Sequence, residues 1–407
     1  MAGLYAIVGA GHAGTAAAAA MRAAGFEGRI LLIGDDPHLP YERPPLSKAA
    51  LKEGAEGAAA IYPADFYESR RVELKLGAAV AGLDAQARRL TLGNGESIDF
   101  DKLLIATGAQ ARRYPLLDAL GDKVHVVRTL DDAVRLRPAM QPGRRLLVVG
   151  GGVIGLEVAA TASAMGLAVT VLERAPRLLA RGTPEPLAQM LLAAHDRARV
   201  QVHTSVELVS AGVQGDALFV EAADGRRFAG DLIVYGIGVT LNDGLARQAG
   251  LEMDDGIIVD AACRTSLPHI YAAGDVARRH DWTSGAMVRQ ENWASALHQG
   301  ALAGRAMAGV EAGPDEEIPW FWTDQYGVNY QVAGAVQADR WVRRDGQGRS
   351  LLFGLTGGVL TGAIGVDAGA DMRMARKLIG QGVRPDAAAL ADPAISLRQI
   401  VAMSKAA

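Results

Sequence analysis

Two glycine motifs of the same kind carry the strongest chemical signal in this sequence. Residues 9–14 read GAGHAG and residues 150–155 read GGGVIG, so both follow the pattern G-x-G-x-x-G. Each motif comes after an apolar run typical of a buried strand and before an alanine-rich stretch typical of a helix. Glycines in such a turn let the backbone approach a pyrophosphate, and the helix N-terminus supplies amide donors and a favourable dipole. The sequence therefore predicts two dinucleotide sites.

An acidic residue follows each motif at the spacing that a dinucleotide ribose requires, about 20 residues further on. Asp35 comes directly after the apolar run 30–34, and Glu173 after the run 169–172. Asp36 adjoins Asp35, so the first assignment could be shifted by one residue. Glu173 favours NADH, because an acid there accepts hydrogen bonds from the ribose hydroxyls and repels the extra phosphate of NADP. A redox flavoprotein is the leading interpretation.

Composition bounds the class of protein. The 407 residues are 50% hydrophobic and carry a formal net charge of −3, which favours two or three α/β domains and argues against a nucleic-acid binder. The most apolar stretch, 146–172, contains the second glycine motif and predicts a buried βαβ unit rather than a membrane span. Because the first predicted strand begins at about Leu4, we expect no signal peptide. We expect a cytoplasmic protein.

The chain has one cysteine, Cys263. Disulfide reductases need a cysteine pair, and some related peroxidases use one cysteine shortly after the first βαβ unit. Residues 40–48, which occupy that region, contain no sulfur, and Cys263 lies far away in a predicted strand or turn. Thiol chemistry is therefore not expected.

The order of predicted elements suggests a second domain inserted into the first. Strands ending at 108, 238 and 275 close in small-residue turns, where a chain can pass from one domain to another. Residues 255–260 look like a hairpin arm, and Asp275 is predicted to open a helix. From about Ile318 the sequence becomes aromatic and β-rich, and residues 371–379 and 396–404 look helical. We predict a discontinuous domain at 1–108 and 243–317, an inserted domain at 109–242, and a third at 318–407.

Specific motifs connect this sequence with a known family. They are 41–48 (YERPPLSK), 106–108 (ATG), 150–157 (GGGVIGLE), 236–239 (GIGV), 273–276 (AGDV) and 320–325 (WFWTDQ), with 391–393 (ADP) and Leu397-Arg398 near the end. Together they resemble the ferredoxin reductase components of bacterial aromatic-ring dioxygenases, of the biphenyl dioxygenase type, over essentially the whole chain. Reductases that serve a cytochrome P450 share most of these motifs.

The resemblance implies an α/β fold of the glutathione-reductase type, with two Rossmann-type dinucleotide-binding domains and a C-terminal α+β interface domain. It implies FAD in the first domain and NAD in the second. The residues that it implies for cofactor binding are Gly9, Gly11, His12, Ala13, Gly14, Asp35, Arg43, Pro44, Lys48, Val80, Ala106, Thr107, Gly108, Arg128, Gly150, Gly152, Val153, Ile154, Gly155, Glu157, Glu173, Arg174, Arg181, Gly236, Ile237, Gly238, Gly274, Asp275, Glu291, Asn292, Trp293 and Trp322.

Three of these residues have roles that the resemblance makes specific. Lys48 would stabilise the anion that develops on reduced flavin, and Glu157 would be its counter-ion, so these two form the expected catalytic pair. Trp322 would lie beside the flavin at the surface that faces a ferredoxin, although a core tryptophan is the alternative. We expect a reductase that passes hydride from NADH to FAD and single electrons to a separate [2Fe-2S] ferredoxin, which supplies a terminal oxygenase.

Other functions and features of the assembly stay open at this point. The chain lacks the cysteines for a cluster of its own, so the cluster must belong to a partner. A reductase for a P450-type ferredoxin or a rubredoxin is one alternative. An NADH-sensing flavoprotein that resembles apoptosis-inducing factor is another. We expect a monomer or a weak homodimer, no bound metal, and a basic rim for ferredoxin drawn from Arg340, Arg343, Arg344, Arg373, Arg376 and Lys377.

Overall fold

The computed structural model describes residues 3–281, 285–311, 313, 317–346 and 348–406. Its strands are β1 (Leu4–Val8), β2 (Arg29–Ile33), β3 (Val72–Lys75), β4 (Val80–Asp84), β5 (Arg89–Leu92), β6 (Ser97–Asp99), β7 (Lys102–Ile105), β8 (Ala109–Ala111), β9 (Val124–His125), β10 (Arg145–Val149), β11 (Ala168–Leu172), β12 (Gln201–His203), β13 (Leu208–Gln214), β14 (Ala217–Ala222), β15 (Arg227–Gly230), β16 (Leu232–Tyr235), β17 (Val239–Leu241), β18 (Ile257–Val259), β19 (Ile270–Ala272), β20 (Ala277–His280), β21 (Met287–Val288), β22 (Trp320–Gln325), β23 (Val328–Gly334), β24 (Arg340–Gly346), β25 (Arg349–Thr356) and β26 (Val359–Val366).

The helices are α1 (His12–Ala23), α2 (Ala49–Glu53), α3 (Ala64–Ser69), α4 (Pro115–Asp118), α5 (Leu130–Leu136), α6 (Val153–Ala164), α7 (Glu185–Arg197), α8 (Gly244–Gln248), α9 (Trp293–Met307), α10 (Gly369–Gly380), α11 (Ala387–Ala391) and α12 (Leu397–Ala406). Short 3₁₀ turns lie at Pro44–Ser47, Gly54–Gly57, Gly121–Lys123 and Arg137–Ala139. In the described part of the chain, no helix has the length and apolarity needed to cross a membrane.

The chain forms two compact units. Unit 1 comprises Met1–Glu42, Ala59–Gln110 and Val239–Glu316, and unit 2 comprises Arg43–Ala58, Ala111–Gly238 and Glu317–Ala407. The predicted division into three domains stays a prediction, since residues of its second and third domains belong to the same unit.

Unit 1 is built on a parallel sheet of order β19-β7-β1-β2-β3. Its central strands are apolar on both faces, as expected of strands covered on both sides. Helix α9 packs closely on α1, because a Cβ at Gly300 would lie 2.2 Å from the carbonyl oxygen of Ala13, and one at Gly304 would lie 2.3 Å from that of Ala17. The two glycines thus let a pair of helix backbones touch. Two three-stranded sheets, β4-β5-β6 and β18-β20-β21, also belong to this unit.

Unit 2 repeats the parallel architecture with the sheet order β12-β11-β10-β16-β9 and adds the antiparallel sheet β13-β14-β15. Its C-terminal part is an antiparallel sheet of order β22-β23-β26-β25-β24. The apolar side chains of this sheet pack with α10, α11 and α12 around Phe353, Leu378 and Ile400. Two parallel sheets with βαβ connections and one C-terminal α+β part confirm the predicted fold class.

Two local predictions were wrong. Asp275 opens no helix: the amide of Ala277 donates to the carbonyl of Gly274 (3.0 Å), so the chain makes a turn and enters β20 directly. Residues 257–259 do form a strand, but β18 pairs in parallel with β20 and is therefore no hairpin arm. The predicted helices near 371–379 and 396–404 are present as α10 and α12.

Candidate functional site

The first glycine motif forms a tight turn between β1 and α1. Gly9 has a φ of +115°, and a Cβ there would lie 2.1 Å from the carbonyl oxygen of Ala106. A Cβ at Gly14 would lie 2.0 Å from the carbonyl oxygen of Gly9, so this glycine lets the helix pack on its own turn. At Gly11, in contrast, a Cβ would meet no atom within 4 Å. The middle glycine therefore has an open side.

The second motif has the same geometry in unit 2. Gly150 has a φ of +110°, with its missing Cβ position 2.3 Å from the carbonyl oxygen of Gly236. A Cβ at Gly155 would lie 2.1 Å from the carbonyl oxygen of Gly150, and one at Gly152 would meet nothing within 4 Å. The two motifs therefore agree glycine by glycine in backbone conformation and in the space around each missing Cβ.

The helices after the two motifs are open to an anion. Gly11 and Gly152 are the N-caps of α1 and α6, and neither helix has a side-chain cap or an acidic residue in its first turn. The first-turn amides are thus left for a ligand or water, and the dipole favours a negative group there. This open, uncapped turn fits the pyrophosphate of a dinucleotide in both units.

The acids after the motifs differ in their surroundings. Asp35 is exposed, whereas its neighbour Asp36 accepts hydrogen bonds from the amide of His38 (3.1 Å) and the hydroxyl of Tyr41 (2.8 Å). Since Asp36 is used to fold the loop, Asp35 remains the better candidate for a ribose. In unit 2, Glu173 accepts from the amides of Gly151 (2.5 Å) and Ala175 (2.6 Å), which brings its carboxylate to the glycine turn.

A carboxylate that the sequence did not single out organises the helix termini of unit 1. Glu42 contacts His12 Nε2 (2.8 Å) and accepts from the indole N–H of Trp293 (2.7 Å). Burial raises the pKa of Glu42, but the bonds from His12 and Trp293 and the charge of His12 outweigh it and leave the pKa below its usual value. One acid thus contacts both His12, at the start of α1, and Trp293, at the start of α9.

The other predicted residues of unit 1 lie on strand ends and caps. Thr107 and Asn242 bond reciprocally, with the threonine hydroxyl donating to the Asn242 carbonyl (2.7 Å) and the Asn242 amide donating to the Thr107 carbonyl (3.0 Å). Asn292 is the N-cap of α9, accepting from the amide of Ser295 (2.9 Å). Val80 packs at the edge of an apolar cluster, and Glu291 is exposed and pairs with Arg289.

Lys48 and Glu157 are brought together within unit 2. The ammonium of Lys48 lies 2.9 Å from Glu157 Oε1, and Glu157 is 3% exposed. Helix α6 holds the lysine's segment through two residues one turn apart: Glu157 Oε2 accepts from the Ser47 hydroxyl, and Thr161 donates to the Ser47 carbonyl (2.8 Å). The pair is thus fixed from both sides by the turn Pro44–Ser47 and by α6.

Glu157 has two further donors that sequence reasoning missed. Thr323 donates its hydroxyl to Glu157 Oε1 (2.7 Å), and the amide of Asp324 lies 3.4 Å from the same oxygen. Thr323 and Gln325 alternate on β22, and both are fully or almost fully buried. A threonine and a glutamine two residues apart on a predicted strand could have indicated a polar contact here, since buried polar groups need hydrogen-bond partners. Both residues lie in the motif 320–325, for which the sequence predicted a role only at Trp322.

Trp322 lies next to this network. Its indole N–H donates to Asp324 Oδ2 (3.0 Å), and the same oxygen lies 3.9 Å from the Lys48 ammonium. The rings of Trp320 and Trp322 stack with centroids 5.7 Å apart, and the guanidinium of Arg376 lies 4.4 Å from the Trp320 ring. Trp322 is half-buried, so it does not belong to the apolar core of the sheet.

The loop after β11 carries two predicted arginines, Arg174 and Arg181. A third arginine in this loop, Arg177, donates to the backbone carbonyls of residues 178, 179, 180 and 183, so the loop folds around its guanidinium. Arg174 is exposed in this loop, and Arg181 reaches back to Gly238, whose missing Cβ position lies 3.2 Å from the guanidinium. Arg128 is placed before α5, its amide donating to Asp132 Oδ2 (3.1 Å).

The predicted site residues therefore divide between the two units. Unit 1 holds Gly9, Gly11, His12, Ala13, Gly14, Asp35, Val80, Ala106, Thr107, Gly108, Gly274, Asp275, Glu291, Asn292 and Trp293. Unit 2 holds Arg43, Pro44, Lys48, Arg128, Gly150, Gly152, Val153, Ile154, Gly155, Glu157, Glu173, Arg174, Arg181, Gly236, Ile237, Gly238 and Trp322. Each set contains one glycine motif, the acid that follows it and the strand ends beside them.

Two dinucleotide folds with matching glycine turns define a two-dinucleotide oxidoreductase. Residues 4–300 match the family model described as pyridine nucleotide-disulphide oxidoreductase, and residues 320–401 match the model described as reductase C-terminal. The chain belongs to the pyridine nucleotide-disulphide oxidoreductase family.

Comparison with individual proteins gives matches over nearly the whole length. The chain is 44% identical over 377 residues, 92% of its length and 95% of the relative's, to the 3-phenylpropionate/cinnamic acid dioxygenase ferredoxin–NAD(+) reductase component of Photorhabdus laumondii. It is similar to the crystal structure of the covalent putidaredoxin reductase–putidaredoxin complex, with a TM-score of 0.92, 33% identity and coverage of 100% and 99% of the two chains. It is also similar to the ferredoxin reductase for the CYP199A2 system from Rhodopseudomonas palustris, with a TM-score of 0.92, 35% identity and coverage of 97% and 99%.

Proposed function

We propose that this chain is an FAD-dependent reductase that takes electrons from NADH and delivers them to a [2Fe-2S] ferredoxin of an aromatic-ring dioxygenase system. The observation that carries the proposal is the 44% identity, over 92% of the chain, to a dioxygenase ferredoxin–NAD(+) reductase component. Likeness at a TM-score of 0.92 to a putidaredoxin reductase bound to putidaredoxin, and to the ferredoxin reductase for the CYP199A2 system, supports ferredoxin as the class of acceptor.

We assign FAD to unit 1 and NAD to unit 2. Gly9, Gly11 and Gly14 would hold the FAD pyrophosphate at the N-terminus of α1, with Asp35 on the ribose. Gly150, Gly152 and Gly155 would do the same for NAD at α6, with Glu173 on its ribose. The two open sides, at Gly11 and Gly152, support this assignment because they leave room for a phosphate against the backbone.

FAD, when bound, supplies the chemistry that joins a two-electron hydride donor to a one-electron acceptor. The chain's own residues would align the cofactors and set the charge around them. Lys48 would hold a positive charge where negative charge develops, and Glu157 would keep that ammonium oriented through the 2.9 Å contact. Hydride transfer needs no side-chain acid or base.

Thiol chemistry has no support in this chain despite the family's name. Cys263 is fully buried in unit 1, and its thiol lies 3.5 Å from the carbonyl of Gln299. Burial raises the pKa of the Cys263 thiol to about 12. Because the thiolate is the nucleophile, such a cysteine is inert at neutral pH.

The electron exit is assigned to the half-buried Trp322, with basic residues of the C-terminal part as the rim that attracts ferredoxin. Three of the six arginines and lysines predicted for the basic rim have partners within the C-terminal part, so we remove them from the rim. Arg344 donates to the carbonyls of residues 390, 393 and 395, Arg343 pairs with Asp345, and Arg376 lies on Trp320. Arg340, Arg373 and Lys377 are exposed and remain our candidates for steering an acidic ferredoxin. We retain a monomer or a weak homodimer as the state of assembly.

The proposal is tested with the purified FAD-loaded protein and a panel of carriers. We expect NADH-dependent reduction of a dioxygenase-type [2Fe-2S] ferredoxin to exceed that of a P450-type ferredoxin and of a rubredoxin. A preference for either of the latter would change the assigned partner. Slow turnover with every carrier, together with long-lived complexes after NADH addition, would favour the NADH-sensing alternative.

A further inference from the structure

A buried chain of hydrogen bonds runs from Glu157 to the side chain of Tyr326 within unit 2. Thr323 donates to Glu157 Oε1 (2.7 Å), and Gln325 Nε2 donates to Thr323 Oγ1 (3.1 Å). Gln325 Oε1 lies 2.9 Å from His195 Nε2, and the other ring nitrogen of His195 lies 2.7 Å from the Tyr326 hydroxyl. The chain therefore joins α7, β22 and α6.

The direction of every bond in this chain follows from chemistry. A carboxylate only accepts, so Thr323 must donate to it, and its oxygen then accepts from the amide group of Gln325. The carbonyl end of Gln325 faces His195 and needs a donor, which fixes the proton of the neutral imidazole on Nε2. His195 Nδ1 is then an acceptor for the Tyr326 hydroxyl. All donors thus point toward Glu157.

The surroundings favour this single arrangement. His195, Thr323 and Gln325 are at most 1% exposed, so water does not compete for their hydrogen bonds. Burial lowers the pKa of His195 to about 4 and raises that of Tyr326, so both groups are neutral near pH 7. At the other end, the side chains of Lys48, Ser47 and Thr323 and the amide of Asp324 fill the acceptor sites of Glu157.

We propose that Thr323, Gln325 and His195 are positioning residues that hold the Glu157 carboxylate on the Lys48 ammonium through one fixed imidazole tautomer. They touch no reacting atom and act through Glu157. The inference deepens the proposed function, since it rests on the role assigned there to the Lys48–Glu157 pair. Its structural part, the tautomer, is independent of any activity.

The test compares two replacements of Thr323 that separate hydrogen bonding from packing. Thr323→Val keeps the shape of the side chain and removes the hydroxyl, whereas Thr323→Ser keeps the hydroxyl and removes a methyl group. Thr356→Val, an exposed position on β25 of the same sheet, is the matched control. In the FAD-loaded protein, we expect Thr323→Val to slow flavin reduction by NADH about tenfold, because a bond to a charged group is lost. Thr323→Ser and the control should stay within about twofold, since neither loses that bond.

A second readout follows the imidazole itself. In ¹⁵N-histidine-labelled protein, the His195 ring signals, assigned by their loss in His195→Asn, should show a neutral ring protonated at Nε2. Gln325→Met should abolish this preference, and Thr356→Val should leave it unchanged. The proposal is overturned if His195 is protonated at Nδ1, or if Thr323→Ser slows reduction more than Thr323→Val. If wild-type protein fails to oxidise NADH but shows the Nε2 tautomer, the proposed function fails and the tautomer assignment survives.

Discussion

Alanine at Gly155, the third glycine of the second motif, should lower the stability of the protein, whereas alanine at Gly152, the second glycine, should weaken the binding of NAD. A Cβ at Gly155 would lie 2.1 Å from the carbonyl oxygen of Gly150, more than 1 Å short of the 3.4 Å of ordinary contact. Because the clash is with backbone, α6 must shift against its own turn. We expect Gly155→Ala to cost about 3 kcal/mol of unfolding free energy or more.

Gly152→Ala should instead leave the fold intact. Gly152 has a φ of −81°, which alanine adopts freely, and its Cβ would meet no protein atom within 4 Å. We expect stability to change by less than about 1 kcal/mol. The methyl group would, however, occupy the side that we assign to the NAD pyrophosphate. The loss of one or two amide bonds to a charged phosphate should weaken binding by about 2 kcal/mol, roughly 30-fold in Kd.

Calorimetric titration with NAD+, which leaves the flavin oxidised, measures the affinity, and thermal unfolding measures the stability. The parallel pair Gly11→Ala and Gly14→Ala tests unit 1, where retained FAD is read from the visible spectrum. NAD+ binding by Gly152→Ala that equals wild type would refute the assignment of the open side to the pyrophosphate. A stable Gly155→Ala protein would refute the packing argument.

Further predictions concern selectivity, charge, electron exit and pH. The specificity constant for NADH should exceed that for NADPH at least about tenfold. Glu173→Ala should narrow this difference between the two coenzymes, with Glu173→Gln as the control that keeps the side-chain size. Equal specificity constants for the wild-type protein would contradict the assignment of Glu173 to the NAD ribose. Lys48→Ala and Glu157→Ala should slow flavin reduction in stopped-flow experiments while FAD content stays near normal, and unchanged rates in both would make the pair merely structural. Trp322→Ala should impair ferredoxin reduction more than reduction by NADH in single turnovers, and ferredoxin reduction, unlike ferricyanide reduction, should slow as salt rises; equal losses would make Trp322 a packing residue. Burial lowers the pKa of His195 from 6.5 to about 4. The free energy of unfolding should therefore be unaffected by this group above pH 6.5 and should fall by about 3 kcal/mol as the pH drops toward 4, because only the unfolded state is protonated in that range. His195→Asn should flatten this pH dependence, measured by urea unfolding at pH 5 and pH 7.

Local chemistry made much of the fold predictable. A glycine turn needs only its own residues and the strand beside it, so both motifs, their helices and the following acids were readable from the sequence. The helix predicted after Asp275 failed for a tertiary reason, because the chain turns at Gly274 and pairs as β20 with β18. The helix and turn propensities of the residues near Gly274 do not indicate that the chain pairs with β18.

The site was predictable where the interacting residues lay in motifs that a known family shares. Lys48 and Glu157 were paired through a family resemblance, and the structure brings them together. The contacts of Glu157 with Thr323, and of Gln325 with His195, join residues far apart in sequence, and no local pattern encodes such pairs. Glu42 is a similar case, since its link to Trp293 depends on the start of α9 lying near the start of α1.

The packing of α9 on α1 also bears on the order in which the protein is made. The first glycine motif leaves the ribosome early, but the strand β19 and the helix α9 that complete its unit come only after residue 269. Residues 111–238 belong to the other unit, and so does the final segment from 317 onward. Neither unit can be completed before most of the chain exists. The site that we assign to FAD therefore reaches its final form late in synthesis, and the growing chain carries an uncovered α1 until then.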